Sequence, residues 1–247
     1  MILEILLPLP INKLFYYKYN ENKKRLPCVG NLVEVDFNNK KMTGAIWAIS
    51  NKKIDISTLK QIVKLFNNIH LNDEIIKSIN LMSEYTCNYK GLLLKLFLSG
   101  FNIKNYKSFN KKRSNTTQTT NPRLIKNNVM LNQDQKKAIK KISDLKDFNT
   151  IVLDGVTSSG KTRVYMHTII ETLNKGYQCL ILVPEKILTK QWIKELQRDF
   201  KVAPEIYHSS IERKKRFDLW LDVLLHKVSV IIGTRSALFL PFKKLGL

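Results

Sequence analysis

Eight consecutive residues in the second half of the sequence have the types and the spacing that bind the phosphates of a nucleotide. They fit the pattern G-x-x-x-x-G-K-[ST] and are Gly155, Val156, Thr157, Ser158, Ser159, Gly160, Lys161 and Thr162. Glycine permits backbone angles that a Cβ disfavours, so successive N–H groups can face an anion. Lys161 can bring an ammonium group to the β- and γ-phosphates, and Thr162 can present a hydroxyl to Mg²⁺. The segment therefore predicts a site for the phosphates of a nucleotide together with Mg²⁺.

The residues around this loop alternate between strand and helix patterns, as a parallel α/β sheet requires. Apolar runs predict strands at residues 150–154, 178–183, 205–208 and 228–232. Periodic apolar positions predict helices at residues 132–145, 161–174, 188–200 and 211–226. Because the strands are continuous apolar runs, we expect them to be buried, with helices covering both faces of the sheet.

The first hundred residues have a different pattern, typical of a small β-rich unit that ends in helices. Short strand-like runs at residues 2–7, 15–19, 31–37 and 42–49 are separated by turns rich in Pro, Gly or Asn. The pair Asn38-Asn39 lies between two of these runs and predicts a hairpin turn. Asn72 can cap a helix that runs to residue 86, and a shorter apolar helix is predicted at residues 92–98.

Residues 102–126 contain seven basic residues and no acidic one, and they include the polar run SNTTQTTNP. A segment this polar cannot bury enough surface to offset its ordering entropy, so we predict a flexible linker, which can also lie along a phosphate backbone. The expected organisation is a first domain at 1–101, this linker, and a second domain at 127–247.

Charge alone does not decide the partner of this protein. The 42 basic residues against 20 acidic ones give a net charge of +22, but 34 of the basic residues are Lys. A surface built for phosphate would more often use Arg, so the charge is suggestive only. The three Cys form no C-x-x-C pair, which excludes a disulfide framework and a Cys-rich zinc site. With no signal peptide and no long apolar stretch, the expectation is a soluble, cytoplasmic protein without a membrane partner.

Several segments, in order along the chain, resemble the PriA-type replication-restart DNA helicases of superfamily 2. They are LPLPINKLFYY near the start, LNQDQ, GVTSSGKTRVY, LVPEKILTKQ, YHSS and the final segment IIGTRSALFLPFKKLGL. The resemblance implies an α/β chain in which a β-rich domain that binds DNA 3′ ends is joined by a basic linker to a P-loop (RecA-like) helicase lobe with a mainly parallel sheet.

The resemblance also implies a function and partners. The family uses ATP and Mg²⁺ to move 3′ to 5′ on DNA, recognises stalled forks and helps to assemble the primosome there. Its partners are branched and single-stranded DNA, primosome proteins and single-strand-binding protein. The zinc sites of the family lie outside this chain.

Individual site residues follow from the family motifs. Gln135 occupies the position expected to reach the adenine base, while Phe15, Tyr17 and Lys60 match the pocket for a DNA 3′ end. The residues expected to contact DNA from the helicase lobe are Pro184, His208, Thr234 and Arg235. From the residues alone, DNA stacking by Phe15 and Tyr17 has the alternative that both are core aromatics, and His208 is either structural or a hydrogen-bond donor to DNA.

Four positions depart from the family pattern. The usual glycine of the phosphate loop is Ser158, and the usual acidic residue after the Lys-Thr pair is Arg163. In the 3′-end pocket the family aspartate is replaced by Tyr16 and a glycine by Asn38. These pocket replacements leave open whether selectivity for a 3′ end survives.

The chain stops at Leu247, just before the Asp-Glu-Glu-His box that follows in the family. Those carboxylates would hold Mg²⁺ and orient the attacking water, so we expect an N-terminal portion that binds ATP and DNA without hydrolysing ATP alone. An alternative is a non-enzymatic DNA-binding module with a vestigial phosphate loop, from a split or decaying gene. A different superfamily 2 motor, acting on restriction or repair substrates, is a further alternative.

Overall fold

The chain divides into two compact units, and a computed structural model describes most of both. The division falls between residues 114 and 115. The described residues are 1–20, 26–52, 54–101, 103, 106, 130–156, 159–184 and 204–247. Because residues 107–129 lie outside them, the predicted linker and the domain limits at 101 and 126 stay predictions.

The first unit is built on a five-stranded antiparallel sheet. Its strands are β1 (Ile2–Leu6), β2 (Phe15–Lys18), β3 (Asn31–Phe37), β4 (Lys40–Ser50) and β5 (Lys64–His70), in the order β2-β1-β4-β3-β5. The four strands predicted from the sequence are confirmed to within two residues at each end, and β5 is additional. The sheet curls on itself, because the segment before β5 hydrogen-bonds to β2: the Lys18 N–H donates to the Lys60 carbonyl at 2.9 Å, and the Ile62 N–H donates to the Lys18 carbonyl at 3.2 Å.

Side chains of alternating strand residues fill the inside of this curled sheet. Leu3 and Ile5 of β1, Val33 and Val35 of β3, and Ile46 of β4 are all fully buried there. The turn between β3 and β4 is the predicted hairpin: Asn38 and Asn39 have φ angles of 47° and 59°. Two successive positive φ angles are typical of a type I′ turn, in which Asn is well tolerated.

Two helices, α1 (Asp73–Thr86) and α2 (Lys90–Phe97), follow the sheet in the first unit. The predicted cap is confirmed, since the Asn72 side chain accepts a hydrogen bond from the Ile75 N–H at 3.0 Å. Helix α2 packs closely on the chain that follows β1. A Cβ on Gly91 would lie 2.2 Å from the Leu9 carbonyl oxygen, so only glycine fits at this contact.

The second unit contains a parallel sheet and three described helices. The helices are α3 (Gln133–Ser143), α4 (Lys161–Asn174) and α5 (Arg213–Leu224), and the strands are β6 (Cys179–Leu182), β7 (Glu205–Tyr207) and β8 (Val230–Gly233). The strand order is β6-β8-β7, and both pairings are parallel, as predicted. The predicted helix at 188–200 lies outside the described residues. No helix in the described ranges is long and apolar enough to cross a bilayer.

The core of the second unit forms where α4 packs on the sheet. Ile169, Ile170 and Leu173 of the helix contact Cys179 of β6 and Val230 of β8, and each is at most 6% exposed. The apolar positions of α4 recur three and four residues apart, so they face the sheet together. The contact fixes α4, and hence the phosphate loop before it, relative to the sheet.

The prediction of a buried strand at residues 150–154 is wrong. These residues form no strand in the structure, and Ile151 and Val152 are 45% and 87% exposed. A strand needs a hydrogen-bonded neighbour, and the free edge of β6 is taken by the chain's last residues: the Leu180 N–H donates to the Leu247 carbonyl at 2.8 Å. A cavity of about 420 Å³ is lined by both Ile151 and Leu247. The apolar run is therefore left without a partner among the described strands.

Candidate nucleotide and DNA sites

The phosphate loop leads directly into helix α4, and Gly160 is the residue at that transition. Its φ angle is +81°, in the left-handed region that favours glycine. A Cβ at this position would also lie 2.3 Å from the Nε2 atom of Gln135. Backbone conformation and available space therefore both require glycine here. Thr157 and Ser158 lie outside the described residues.

The ammonium group of Lys161 lies over the first residues of the loop. Its Nζ donates to the carbonyl of Gly155 and, at 3.2 Å, to that of Val156. These carbonyls are weaker partners for an ammonium ion than the oxygens of a phosphate would be. Thr162 is exposed in the first turn of α4, and Ser159 lies one residue before Gly160. A lysine ammonium group, an exposed hydroxyl and a glycine at a helix start form a set that fits a nucleotide triphosphate with Mg²⁺.

Gln135 connects the start of helix α3 to this loop. Asn132 and Gln135 form a capping box: the Gln135 N–H donates to Asn132 Oδ1 at 2.8 Å, and the Asn132 N–H donates to Gln135 Oε1 at 3.0 Å. At the other end of its amide, Gln135 Nε2 donates to the Gly160 carbonyl at 3.4 Å. The residue is 7% exposed. Gln135 therefore lies at the loop, with both of its polar atoms hydrogen-bonded within the protein.

Arg163, one of the departures from the family pattern, has a defined partner. Its Nη1 donates to the main-chain carbonyl of Met130 at 3.2 Å. Because Met130 precedes α3 and Arg163 lies in the first turn of α4, this bond runs between the starts of the same two helices. Sequence reasoning missed this link, since a main-chain carbonyl leaves no signal in the residue types.

The four residues predicted to contact DNA follow the three parallel strands at their carboxyl ends. Pro184 comes after β6 and His208 after β7, while Thr234 and Arg235 come after β8. The strand ends lie side by side: the Val183 N–H donates to the Gly233 carbonyl at 2.9 Å, and the Thr234 N–H donates to the Tyr207 carbonyl at 3.2 Å. The structure thus brings these residues to one edge of the sheet, where ligands of open α/β sheets bind.

The residues at this edge differ in accessibility. Thr234 is 7% exposed, and its hydroxyl lies 3.4 Å from that of Ser236. Arg235 opens a short 3₁₀ helix, Arg235–Phe239, and its side chain is exposed, as is that of Pro184. His208 is half-buried. A phosphate approaching this edge would reach Arg235 before it reached Thr234.

The residues of the predicted 3′-end pocket lie around strand β2. The Phe15 ring packs edge-on against Phe37, with 4.8 Å between ring centroids, which places β2 beside the Asn38 turn. Lys60 is exposed and pairs with β2 through its main chain. Asn38 takes the positive φ that the family's glycine would also allow. The structure therefore places Phe15, Asn38 and Lys60 near the same strand.

Tyr17 occupies the core of the first unit. It is 4% exposed, and its hydroxyl donates to the Asp36 carbonyl at 3.1 Å. Burial, together with the negative charge of Asp36, raises the pKa of Tyr17 above its ordinary value. A ring so enclosed offers no open face to a base, whereas Phe15 is only half-buried.

Two polar groups near this strand were not anticipated from the sequence. Tyr16, which replaces the family aspartate, accepts a hydrogen bond from Lys52 Nζ at 2.6 Å, and this bond is the main reason that the pKa of Lys52 is raised. Asp36 carries a buried oxygen, Oδ1, that has no hydrogen-bond partner among the described residues. A carboxylate thus lies beside Tyr17, although the family position for one is occupied by Tyr16.

Comparison with known proteins finds a family match for each of the two units. A model of the PriA 3′ DNA-binding domain matches residues 4–99, and a model of the DEAD/DEAH box helicases matches residues 132–246. The replication restart protein PriA of Rickettsia prowazekii is 34% identical over 244 residues, which cover 97% of this chain and 35% of that protein. The chain belongs to the PriA family. Similar matches are found with PriA of Rickettsia conorii, 34% identical over 97% of this chain and 35% of the relative, and with PriA of Haemophilus influenzae, 39% identical over 49% of this chain and 16% of the relative.

Membership in the PriA family confirms the fold class predicted from the sequence: a β-rich 3′ DNA-binding domain followed by a helicase domain with a parallel sheet. The chain spans about a third of the length of the Rickettsia relatives, 35% in each case. The activity, substrates and partners of a whole PriA protein are therefore only proposed for this chain.

Proposed function

We propose that this chain is the N-terminal portion of a replication-restart helicase and that it binds ATP with Mg²⁺ as well as DNA. The observation that carries the nucleotide half is the arrangement of Gly160 and Lys161, a left-handed glycine at the start of α4 followed by an ammonium folded over the loop. The 3′-to-5′ motor action, the primosome and single-strand-binding protein partners, and a cytoplasmic location belong to the same proposal for the whole protein. The family's zinc sites would lie outside this chain.

The nucleotide would bind through residues of the phosphate loop. Lys161 would exchange the Gly155 and Val156 carbonyls for phosphate oxygens, and N–H groups at the start of α4 would face the same anion. Thr162 would coordinate Mg²⁺ through its hydroxyl. Thr157, Ser158 and Ser159 complete the loop in sequence. ATP bound in this way would supply the free energy for movement along DNA.

DNA would bind at two places. In the first unit, Phe15 would stack on a base near the 3′ end while Lys60 contacts phosphate, and Tyr17 would support the pocket from the core. In the second unit, the edge formed by Pro184, His208, Thr234 and Arg235 would contact the strand backbone, with Arg235 as its accessible cation.

We further propose that the 1–247 chain by itself does not turn over ATP. Residues 163–247 contain no two adjacent acidic residues, so the carboxylates that would hold Mg²⁺ and orient water in this family are not supplied by this sequence. Steady phosphate release by purified 1–247 protein, stimulated by DNA and lost in Lys161→Ala, would contradict this part.

Titration with a fluorescent ATP analogue and Mg²⁺ tests the nucleotide site. We expect saturable, Mg²⁺-dependent binding that weakens about tenfold to a hundredfold in Lys161→Ala, because a charge-assisted hydrogen bond to phosphate contributes about 1.5–3 kcal/mol. Lys175→Ala, which removes an exposed lysine at the other end of α4, is the matched control and should bind normally. Absence of any saturable binding in the unmodified chain would instead identify a vestigial loop and a DNA-binding module without nucleotide chemistry.

Arg235→Gln tests the DNA edge. Because one phosphate contact is lost, the affinity for a single-stranded oligonucleotide should fall. The slope of log affinity against log salt concentration should also become shallower, by the amount that one phosphate contact contributes. Lys215→Gln, in the exposed basic run of α5, changes net charge equally and is the control. Equal losses in both variants would assign the binding to overall charge and not to this edge.

A further inference from the structure

The side chain of Arg216 is hydrogen-bonded to the loop at residues 208–211, which follows β7 at the carboxyl edge of the sheet. Arg216 Nη2 donates to the main-chain carbonyl of Ser209 and, at 3.4 Å, to that of Ile211. The loop also closes on itself, because the Ile211 N–H donates to the His208 carbonyl at 3.3 Å. The carbonyls of His208, Ser209 and Ile211 are therefore all bound within the protein.

The groups that this loop leaves to solvent are hydrogen-bond donors. Ser209 and Ser210 are exposed, and His208 is half-buried. The main-chain N–H groups of Ser209 and Ser210 have no acceptor in the part of the chain that the structure describes. Hydroxyl and main-chain N–H groups are donors that position a nucleic acid by its phosphates. With its carbonyls bound and its donors open, the loop fits an anionic strand.

Arg216 reaches the loop from a helix that is anchored in the core of the second unit. Phe217, the next residue, and Trp220, one turn further along α5, are both fully buried. The Arg216 side chain itself is half-buried, and its Nε is buried without a hydrogen-bond partner among the described residues. Burying part of a guanidinium group costs free energy unless its N–H groups are bound. The two loop carbonyls are therefore the contacts that favour an arginine here.

We infer that Arg216 is a positioning residue for the DNA edge, and this inference rests on the DNA binding proposed above. By holding the Ser209 and Ile211 carbonyls, Arg216 fixes the loop conformation in which His208 meets the backbone of a single strand. Arg216 acts through the loop and makes no phosphate contact of its own.

Fluorescence anisotropy with a labelled single-stranded oligonucleotide, repeated at several salt concentrations, tests this role. Arg216→Met keeps an unbranched side chain but removes the donor to both carbonyls. We expect the affinity to fall about tenfold, the effect of losing roughly one hydrogen bond from a charged group. The slope of log affinity against log salt concentration should stay the same, because no contact with a phosphate is lost.

Lys215→Met is the matched control. It makes the same change in charge at the neighbouring, exposed position of α5 and should leave both the affinity and the salt slope unchanged. Circular dichroism reports whether each variant is folded. If Arg216→Met does not fold, Arg216→Gln gives the same test, since its side chain stays polar but is too short to hold both carbonyls.

A double-mutant cycle with His208→Ala tests whether the effect passes through the loop. Without the His208 side chain there is less for Arg216 to position, so Arg216→Met should weaken binding by a smaller factor than in the unmodified chain. In Arg235→Gln, which changes a contact after β8, the full loss should remain.

The other outcomes overturn the inference. Unchanged affinity in Arg216→Met would show that the loop does not need this side chain. A shallower salt slope would mean that Arg216 contacts phosphate directly, and an equal loss in Lys215→Met would assign the effect to charge. Independent losses in the cycle with His208→Ala would show that the effect does not pass through this loop. If the unmodified chain does not bind the oligonucleotide, the proposed DNA site itself fails, and the inference fails with it.

Discussion

Gln178 and Lys244 are hydrogen-bonded to each other twice. The Gln178 N–H donates to the Lys244 carbonyl at 2.7 Å, and Gln178 Oε1 accepts from the Lys244 N–H at 3.1 Å. The same side chain accepts from the Lys243 N–H at 2.9 Å and donates through Nε2 to the carbonyls of Val223 and Val228. Gln178 is completely buried, so one side chain joins the end of α5, the residues before β8 and the segment beside β6.

Replacing Gln178 with leucine should destabilise the second unit by about 3 kcal/mol. Leucine has a similar size but removes the Gln178 partner of the Lys243 N–H, the Lys244 N–H and the Val228 carbonyl, and a buried group left without a partner costs about 1–3 kcal/mol. Urea unfolding followed by tryptophan fluorescence measures the change, since Trp220 is fully buried in this unit. Gln133→Leu, at an exposed position of α3, is the control. A loss no larger than that of the control would show that these bonds contribute little to stability.

Two glycines have nearly the same left-handed backbone conformation but different surroundings. Comparing them separates the energetic cost of that conformation from the cost of a steric clash. Gly176 has φ +78° and no atom within 4 Å of the place that a Cβ would take, whereas Gly160 has φ +81° and the Gln135 amide at 2.3 Å. Gly176→Ala should cost about 1 kcal/mol from the left-handed conformation alone. Gly160→Ala should cost at least about 1 kcal/mol more in urea unfolding and should also weaken ATP binding. Equal costs for both variants would mean that Gln135 moves aside freely.

His226 should make the second unit less stable in mild acid. Burial first, and then the charges of Lys243 and Lys244, lower the pKa of His226. The unfolded chain therefore takes up this proton before the folded chain does, so stability is complete above the unfolded pKa of about 6.5 and decreases as the pH falls from there towards the folded pKa. His226→Asn removes the titration and tolerates the φ of 57° at this position. Urea unfolding at pH 7.5 and pH 5.5 should show a smaller difference for the variant than for the unmodified chain, and an unchanged difference would assign the pH dependence to other groups.

The three cysteines should fall into two classes according to how fast their thiols react with a maleimide. Cys28 and Cys87 are exposed, while Cys179 is completely buried and burial raises the pKa of its thiol to about 12. At pH 8 a maleimide should label the first two quickly and Cys179 only after unfolding, because the thiolate is the reactive form. Mass spectrometry of digested peptides reports each site. Rapid labelling of Cys179 in the native protein would show that the segment containing β6 unfolds locally and exposes the thiol.

Phe15 and Tyr17 should respond differently when binding of a DNA 3′ end is measured. Phe15→Leu keeps an apolar contact with Phe37 but removes the aromatic face, so affinity should fall about fivefold to a hundredfold, the contribution of one stacked base. Tyr17→Phe removes only the hydroxyl that donates to Asp36, so affinity should be unchanged. Fluorescence anisotropy with a labelled oligonucleotide tests both. Loss of affinity in Tyr17→Phe alone would place the tyrosine hydroxyl at the DNA.

Local patterns predicted from the sequence were confirmed where the signal is contained in a few neighbouring residues. Asn72 caps α1, and Asn38-Asn39 turns the hairpin. Each depends on a side chain and the main chain within a few positions, so residue type and spacing carry the information. The helix after Gly160 is confirmed for the same reason.

Predictions of β-strands were less successful, because a strand needs a hydrogen-bonded partner from a distant part of the chain. The apolar run at 150–154 has the composition of a strand but no neighbour to pair with among the described strands, and β5 was missed although it pairs with β3. Whether a run becomes a strand is decided by hydrogen bonds to residues far away in the chain. Residue types alone do not report those bonds.

The sequence by itself determined the family resemblance, the phosphate loop and the positions of most described helices and strands along the chain, because these depend on residue types at short spacing. Only the tertiary structure decided that Gln135 is buried against Gly160, that Tyr17 lies in the core while Phe15 stays half-exposed, and that Arg235 is exposed while Thr234 beside it is buried. Burial and hydrogen-bond partners arise when segments far apart in the chain pack together. A glutamine or a tyrosine therefore acquires its role from the surface that it meets and not from its position in a motif.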